Sequence, residues 1–252
     1  IQDNSNYIWK VLVKDSSGNS AFAAQNFTLR VNTSYQPPAL NAKKVILIGV
    51  DGFQYNHYVA VLNSRMTNFT RMINSYGGWN GTLNITGHPS TDTAAGNAEL
   101  HTGLNSTVTG VTDNTCNNPV PNEKTTFERL KAWNSSIVTG SIYGKISCYI
   151  PNGVLGNALS SIDWFHNRTT YASTPWTDGT ICDNSKNVAA KASEFIGNYS
   201  NSSFYLVVYF GVPDCSGHAA GDNSVNYNNS FSNVNDGLGV ILNSLESNGI
   251  NG

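Results

Sequence analysis

Charged residues are scarce in this chain of 252 residues. They make up 12% of the sequence, and the formal net charge is −2, from 14 Lys and Arg against 16 Asp and Glu. An average globular protein has about 25% charged residues. A surface that binds a nucleic-acid polymer needs clustered positive charge, so this composition argues against such a partner. Hydrophobic residues reach 39% and aromatic residues 11%, which is enough for a buried core.

Long hydrophobic runs are missing as well. The longest ones, near residues 45–50 and 204–213, are far shorter than the ~20 apolar residues that a helix needs to cross a bilayer. We therefore expect no transmembrane segment in this chain. No signal peptide opens the sequence, so we expect its start to be a mature or trimmed end.

Asparagine is abundant where charge is missing, with 35 residues. The chain contains eleven Asn-x-Ser/Thr triplets, which are acceptors for N-linked glycans in exported proteins. Sugar on these positions would replace charge as the solubilising group, so we predict a glycoprotein that is extracellular or at the cell surface. A plain compositional bias towards asparagine is the alternative interpretation. The triplets begin at Asn26, Asn32, Asn68, Asn80, Asn84, Asn105, Asn134, Asn167, Asn198, Asn201 and Asn228.

Four cysteines are present, namely Cys116, Cys148, Cys182 and Cys215. Their spacing matches no zinc knuckle and no redox pair. In an exported protein they could form two disulfides, for which three connectivities exist.

The first 35 residues alternate with a period of two around a turn-forming cluster at residues 15–19. This pattern predicts a β-hairpin. The segment resembles the last two strands of a fibronectin type III or other Ig-like domain, in which a Tyr-x-Trp-x-Val strand precedes such a turn. An edge hairpin of the main domain is the alternative. We predict a stiff linker over residues 36–42, because Pro37 and Pro38 lie in it.

From residue 43 onwards the pattern changes to alternating strands and helices. Apolar runs at 45–50, 137–142 and 204–210 predict strands, and the first and last of these are apolar on both faces. Helical periodicity covers 59–75, 94–102, 127–133, 188–196 and 238–245. The expected fold of residues 43–252 is therefore α/β, with a mostly parallel sheet sandwiched by helices.

Polar residues with catalytic potential lie where the predicted strands end. Asp51 follows the first strand, and Thr93 starts a helix after a turn. Asp214 and His218 are predicted to share one loop, residues 213–218, after the strand at 204–210. Ligands of α/β sheets bind at the carboxyl ends of the strands, and a helix N-terminus favours an anion. Taken singly, each residue could be a helix cap or half of a surface ion pair; their combination and order favour one site.

In that combination the chain resembles the alkaline phosphatase superfamily, and within it the type I phosphodiesterase/nucleotide pyrophosphatase branch. The matching segments cover most of residues 43–245. They are Val50-Asp51-Gly52-Phe53, the nucleophile motif Thr91-Asp92-Thr93-Ala94-Ala95, then Thr102-Gly103-Leu104, Asp113-Asn114, and Val212-Pro213-Asp214-Cys215-Ser216-Gly217-His218.

The resemblance implies phosphoryl transfer assisted by two divalent metal ions, which would be zinc. Thr93 would be the nucleophile and would share one metal with Asp51, whereas Asp214 and His218 would bind the other. Asn114 would contact the substrate phosphate, and a phospho-threonine would form and be hydrolysed. Cys215 lies between two of the proposed ligands, where its thiol could compete for metal. The alternative is a disulfide with Cys116, which lies two residues beyond Asn114, because the resemblance implies that the two loops meet at the site.

Two departures from the family pattern affect this interpretation. Ala95-Gly96-Asn97 stands where the branch has a Pro-Asn pair after the nucleophile. The later Asp-His pair and the last His of the family are absent, because His218 alone among the five histidines lies in a matching motif. The remaining ligands, which would complete the set around the second metal, are therefore not in this chain. We predict a fragment of a longer protein, with the end of an Ig-like domain over 1–35 and the N-terminal part of a phosphatase-like domain over 43–252.

The predicted function is that of an extracellular, metal-dependent phosphoric ester hydrolase. Small phosphoesters such as nucleotides fit as substrates. The alternative is a structural glycoprotein of the cell surface or of a filament with a degenerate phosphatase-like domain, whose partners would be surface-layer or filament proteins. A sulfatase is less consistent with the sequence, because the Cys/Ser-x-Pro-x-Arg nucleophile motif is absent.

Overall fold

The computed structural model describes residues 6–9, 12–14, 20–22, 27–30, 43–75, 92–114, 119–145, 153–167 and 182–250. The chain divides into two compact units, Ile1–Asn41 and Ala42–Gly252. The boundary between them falls inside the predicted linker.

The described residues of the first unit form four short strands in two antiparallel pairs. The strands are β1 (Asn6–Trp9), β2 (Leu12–Lys14), β3 (Ser20–Phe22) and β4 (Phe27–Arg30). Strand β1 pairs with β4, and β2 pairs with β3. This pairing is nested, as a hairpin requires. The assignment of the unit to an Ig-like domain stays a prediction.

The second unit is built on a parallel sheet, as the sequence predicts. Its strands are β5 (Lys44–Val50), β6 (Val138–Tyr143), β7 (Trp164–Asn167) and β8 (Phe204–Phe210). Their order is β5-β8-β6-β7, and every adjacent pair is parallel. Strand β8 is buried along its whole length. Its uninterrupted apolar sequence fits this central place, since a parallel strand is covered on both faces.

Eight helices are described around this sheet. They are α1 (Tyr55–Arg65), α2 (Thr67–Ser75), α3 (Thr93–Thr102), α4 (Ser106–Thr109), α5 (Thr126–Trp133), α6 (Ser185–Asn198), α7 (Val212–Ala220) and α8 (Val225–Ser247), with a 3₁₀ helix at Gly156–Ser161. The single helix predicted over 59–75 is two helices, separated at the buried Met66. The segment 213–218, predicted as a loop, lies in α7, where Pro213 in the first turn favours a helix start.

The core lies in two clusters, one on each face of the sheet. Residues alternate between the faces along β8, so Leu206 and Phe210 pack in one cluster while Val207 packs in the other. The first cluster includes Phe195 of α6 and is completed by α8, and the second contains Phe127 of α5. This is the predicted α/β sandwich. None of the described helices is both long enough and apolar enough to span a bilayer.

Candidate active site

Two carboxylates lie side by side where β5 and β8 end. Asp51 follows β5, and Asp214 is in the first turn of α7, which follows β8. Backbone hydrogen bonds fix this arrangement: the N–H of Asp51 donates to the carbonyl of Phe210 at 2.9 Å, and the N–H of Asp214 donates to the carbonyl of Asp51 at 3.2 Å. The ends of parallel neighbouring strands therefore bring the two acids together, although 163 positions separate them in the chain.

Gly52 makes this close approach possible. Its φ is +66°, and a Cβ at this position would lie 2.6 Å from the Cα of Asp214. Only glycine combines a left-handed backbone with so little bulk. The Tyr227 hydroxyl donates to the carbonyl of Gly52 at 2.6 Å and accepts from the N–H of Gln54 at 3.2 Å, which holds the turn in place. Burial raises the pKa of Tyr227, so this hydroxyl stays protonated at neutral pH.

A buried lysine joins the two carboxylates. Lys145 lies two residues beyond β6, and its Nζ is 2.6 Å from Oδ2 of Asp51 and 2.6 Å from Oδ2 of Asp214. The lysine side chain is 3% exposed and each aspartate side chain 15%. Lys145 is not among the site residues predicted from the sequence. The signal that could have found it is a lone cation directly after a buried strand, at the same sheet edge as the two acids.

Thr93 places its hydroxyl on this charged cluster. Thr93 is the first residue of α3, and its Oγ1 donates to Oδ2 of Asp51 at 3.3 Å and accepts from Nζ of Lys145 at 3.1 Å. The positive end of the helix macrodipole points at the same place. The hydroxyl of Thr93 therefore has both a carboxylate and an ammonium within reach.

A second layer of hydrogen bonds holds the start of α3. Asn97 donates through Nδ2 to the carbonyl of Thr93 at 2.9 Å and to the hydroxyl of Tyr209 at 3.1 Å. Burial, followed by the charge of Asp51, holds the pKa of Tyr209 well above its ordinary value. Tyr209 is thus a neutral phenol that connects the start of α3 to the end of β8.

Asn114 contacts the same helix start from another loop. Its Oδ1 accepts from the N–H of Ala94 at 2.9 Å, and its Nδ2 donates to Oδ1 of Asp92 at 3.3 Å. The side chain lies at the surface, where a substrate can reach it. The N–H of Ala94, which lies at the helix N-terminus expected to favour an anion, thus donates to Asn114 itself.

His218 lies one helical turn after Asp214 on α7. Its Nε2 is 3.5 Å from Oδ1 of Asp214, and its side chain is 60% exposed. The spacing of four residues on a helix, rather than convergence within a loop, brings the two groups to one face. They line a shallow depression together with Gly52 and Tyr227.

The predicted disulfide between Cys215 and Cys116 is wrong, because Cys215 is bonded to Cys182. The backbone of Cys182 forms an antiparallel bridge with Lys145, which brings Cys182 beside the start of α7. The Cα atoms of the two cysteines are 6.1 Å apart. Since Cys215 is oxidised and buried, its sulfur offers no thiolate to a metal. Cys116 and Cys148 lie outside the described residues.

The side chains at this edge of the sheet fit part of a divalent-metal site. Carboxylate oxygens, a hydroxyl and an imidazole are the donors that zinc and similar cations bind. The two aspartates already share one buried positive charge, so the place accepts a cation. Within the described ranges, no group of three or more His, Cys, Asp or Glu residues converges as a metal site would require. Asp51 with Thr93, and Asp214 with His218, are therefore partial ligand sets.

The predicted glycosylation positions differ in accessibility. Asn105, Asn134, Asn198 and Asn201 are exposed. By contrast, Asn68 is half-buried, and its Nδ2 donates to the carbonyl of Asn235 at 2.9 Å. Asn228 is also half-buried, with its Oδ1 3.4 Å from Nδ1 of His57. The side chains of the remaining candidates lie outside the described part of the chain, namely Asn26, Asn32, Asn80, Asn84 and Asn167.

Comparison with known proteins identifies the family of this chain. The family model described as type I phosphodiesterase/nucleotide pyrophosphatase matches residues 45–252, and the chain therefore belongs to this family. A comparison with curated protein sequences found no significant match.

Several solved structures share the fold at low sequence identity. An inactive form of murine ectonucleotide pyrophosphatase/phosphodiesterase 5 in complex with AMP is 17% identical, with a TM-score of 0.54 over 82% of this chain and 54% of its own. A putative sulfatase from Bacteroides fragilis is 14% identical, with a TM-score of 0.58 over 86% of this chain and 61% of its own. An alkaline phosphatase superfamily protein from Vibrio parahaemolyticus is 16% identical, with a TM-score of 0.51 over 84% of this chain and 52% of its own. The chain thus spans roughly half the length of the structures that it matches.

Proposed function

We propose that this member of the type I phosphodiesterase/nucleotide pyrophosphatase family contributes the nucleophile of an extracellular, metal-dependent phosphoester hydrolase. The observation that carries the proposal is the hydroxyl of Thr93, which lies at a helix N-terminus within hydrogen-bond distance of the Asp51 carboxylate and the Lys145 ammonium. A hydroxyl in such surroundings is oriented and electrostatically prepared for attack on an electrophile.

Thr93 would form a covalent phospho-threonine. Its Oγ1 forms a bond to phosphorus while the bond from phosphorus to the leaving oxygen breaks. The hydroxyl hydrogen is directed at Oδ2 of Asp51, and the ammonium of Lys145 stabilises the negative charge that develops on Oγ1. The leaving oxygen departs as an alcohol or alkoxide that takes its proton from water. A water molecule then cleaves the phosphorus–Oγ1 bond, which restores the threonine and releases phosphate from a monoester substrate or a phosphomonoester from a diester substrate.

The non-bridging phosphoryl oxygens would lie against the N-terminus of α3. The macrodipole of this helix favours an anion there, and the exposed amide of Asn114 is tethered at the same helix start. Asn114 is therefore assigned to positioning the phosphoryl group. The murine neighbour whose structure contains AMP supports small nucleotides as a substrate class.

Asp51 and Thr93 would hold one divalent metal ion, and Asp214 and His218 would hold the other. Zinc suits their mixture of oxygen and nitrogen donors. Such ions would supply Lewis-acid activation of the threonine hydroxyl and of the attacking water. Residues beyond these four are needed to complete both ligand sets.

Two features of the chain support an extracellular location. The Cys182–Cys215 disulfide is a bond that persists in oxidising compartments. Four of the predicted glycan acceptors are exposed, which is the accessibility that N-linked glycosylation requires.

The test is hydrolysis of a chromogenic phosphodiester and of the matching monoester by the full-length protein supplied with zinc. Thr93→Ala should lower turnover at least about 10³-fold, whereas Thr93→Ser, which keeps a hydroxyl, should retain measurable turnover. Preference for the diester would assign a phosphodiesterase, and preference for the monoester a phosphatase. Equal rates in Thr93→Ala and the native protein would refute the assigned nucleophile. Absence of turnover in zinc-loaded native protein would contradict the hydrolase itself.

A further inference from the structure

Lys145 contacts three of the groups assigned to the reaction. Its ammonium bridges the carboxylates of Asp51 and Asp214, each at 2.6 Å, and lies 3.1 Å from the Thr93 hydroxyl. At 3% exposure the ammonium is almost entirely removed from solvent. Removal of a lysine from water is costly and is offset here by the two carboxylates.

The backbone and the aliphatic part of the Lys145 side chain, its stem, are also fixed by contacts. The backbone of Lys145 pairs with Cys182, whose disulfide to Cys215 ties it to α7. Gly211 packs against the stem, since a Cβ at that glycine would lie 2.7 Å from the Cβ of Lys145. These contacts fix the position of the ammonium between the two carboxylates.

We propose that Lys145 is an internal counter-cation that competes with metal for Asp51 and Asp214. It holds the two carboxylates together against their mutual repulsion, and it loses the interaction with a carboxylate that turns to a metal ion. The lysine thereby stabilises the metal-free protein and lowers its affinity for metal. The inference rests on the proposed function through one assignment only, that Asp51 and Asp214 are metal ligands.

A positive charge close to both ligands raises the free energy of a bound divalent cation, because like charges repel strongly in a partly desolvated site. Lysine at this position therefore acts in opposite directions on the two states: it stabilises the protein in chelator and destabilises the metal complex. A residue that only packed in the core would change stability alone. A residue that only contacted substrate would change neither metal affinity nor the stability of the chelated protein.

The experiment is calorimetric titration of the full-length, chelator-treated protein with zinc, paired with thermal unfolding in chelator. Lys145→Met should bind zinc at least tenfold more tightly, which corresponds to about 1.4 kcal/mol, and should unfold at a lower temperature in chelator. Lys145→Arg, which keeps the charge, should bind zinc with an affinity nearer that of the native protein. Lys186→Met is the matched control, because that lysine pairs with Asp236 while 58% exposed, and it should alter neither quantity.

Unchanged or weaker zinc binding by folded Lys145→Met would overturn the proposal. If Lys145→Met fails to fold in chelator, Lys145→Gln, whose amide can donate to one carboxylate at a time, gives the same comparison. Asp51→Asn and Asp214→Asn separate this inference from the proposed function. If neither asparagine variant weakens zinc binding, the ligand assignment fails, and the competition proposal fails with it. If both weaken it while Lys145→Met does not tighten it, only the competition proposal fails.

Discussion

The buried His101 should make the stability of this protein depend on pH in the weakly acidic range. His101 lies in α3, fully buried, and its Nε2 is hydrogen-bonded to the hydroxyl of Tyr143. Its Nδ1 has no hydrogen-bond partner among the described residues. Burial lowers the pKa of His101 from 6.5 to about 4, because the charged imidazolium is poorly solvated in the core.

The direction of the effect follows from where the proton binds. As pH falls below 6.5, the unfolded chain takes up a proton on this histidine and the folded protein does not, so the folded state loses relative stability until pH reaches about 4. The interval between the two pKa values, at 1.36 kcal/mol per pH unit, corresponds to a total loss of about 3 kcal/mol. About 2 kcal/mol of this should already be lost between pH 7 and pH 5.

The assay is urea unfolding at pH 7, 6 and 5, followed by circular dichroism. His101→Gln should reduce the stability difference between pH 7 and pH 5 by about 2 kcal/mol relative to the native protein. Tyr143→Phe is the companion variant: it removes the hydrogen bond but leaves His101 buried, so it should keep most of the pH dependence. An unchanged difference in His101→Gln would show that this residue does not remain neutral in the folded state.

Two further predictions concern the backbone of the site and the surface. Gly52→Ala should lower the free energy of unfolding by about 2 kcal/mol or more and weaken zinc binding, because the alanine Cβ would press on the backbone of Asp214. Gly103→Ala is the control, since Gly103 has a φ of +67° but open space around it. This variant should lower the free energy of unfolding, measured by thermal unfolding, by only about 1 kcal/mol and leave zinc binding unchanged. Mass spectrometry of the native protein should find glycan on Asn105 but not on Asn68, whose amide is packed against α8, and a glycan on Asn68 would contradict the surface assignment.

Strand prediction succeeded where one physical effect dominates. The runs at 45–50 and 204–210 coincide with β5 and β8 to within a residue. Strand β8 is buried along its whole length, and a strand covered on both faces needs an uninterrupted apolar sequence. Strand β5 has the same kind of sequence but is only partly covered, since Val45 is 52% exposed. The helix predicted over 59–75 was wrong in its continuity, since hydrophobic periodicity passes through Met66 while the backbone breaks there. The loop predicted over residues 213–218 is also wrong, because these residues lie in α7, whose first turn contains Pro213.

Asp51, Thr93 and Asp214 could be proposed as one site from sequence because each lies at a strand end or a helix start, and the parallel topology brings such points to one edge. Residue type and position along a strand are local properties, so they can be read from the chain. Lys145 and the Cys182–Cys215 bond could not be read in this way. The packing of the segment after β6 beside α7 decides two things: which cation lies between the two acids, and which cysteine faces Cys215. That packing joins residues far apart in the chain, and distances of this kind are decided only when the whole core forms.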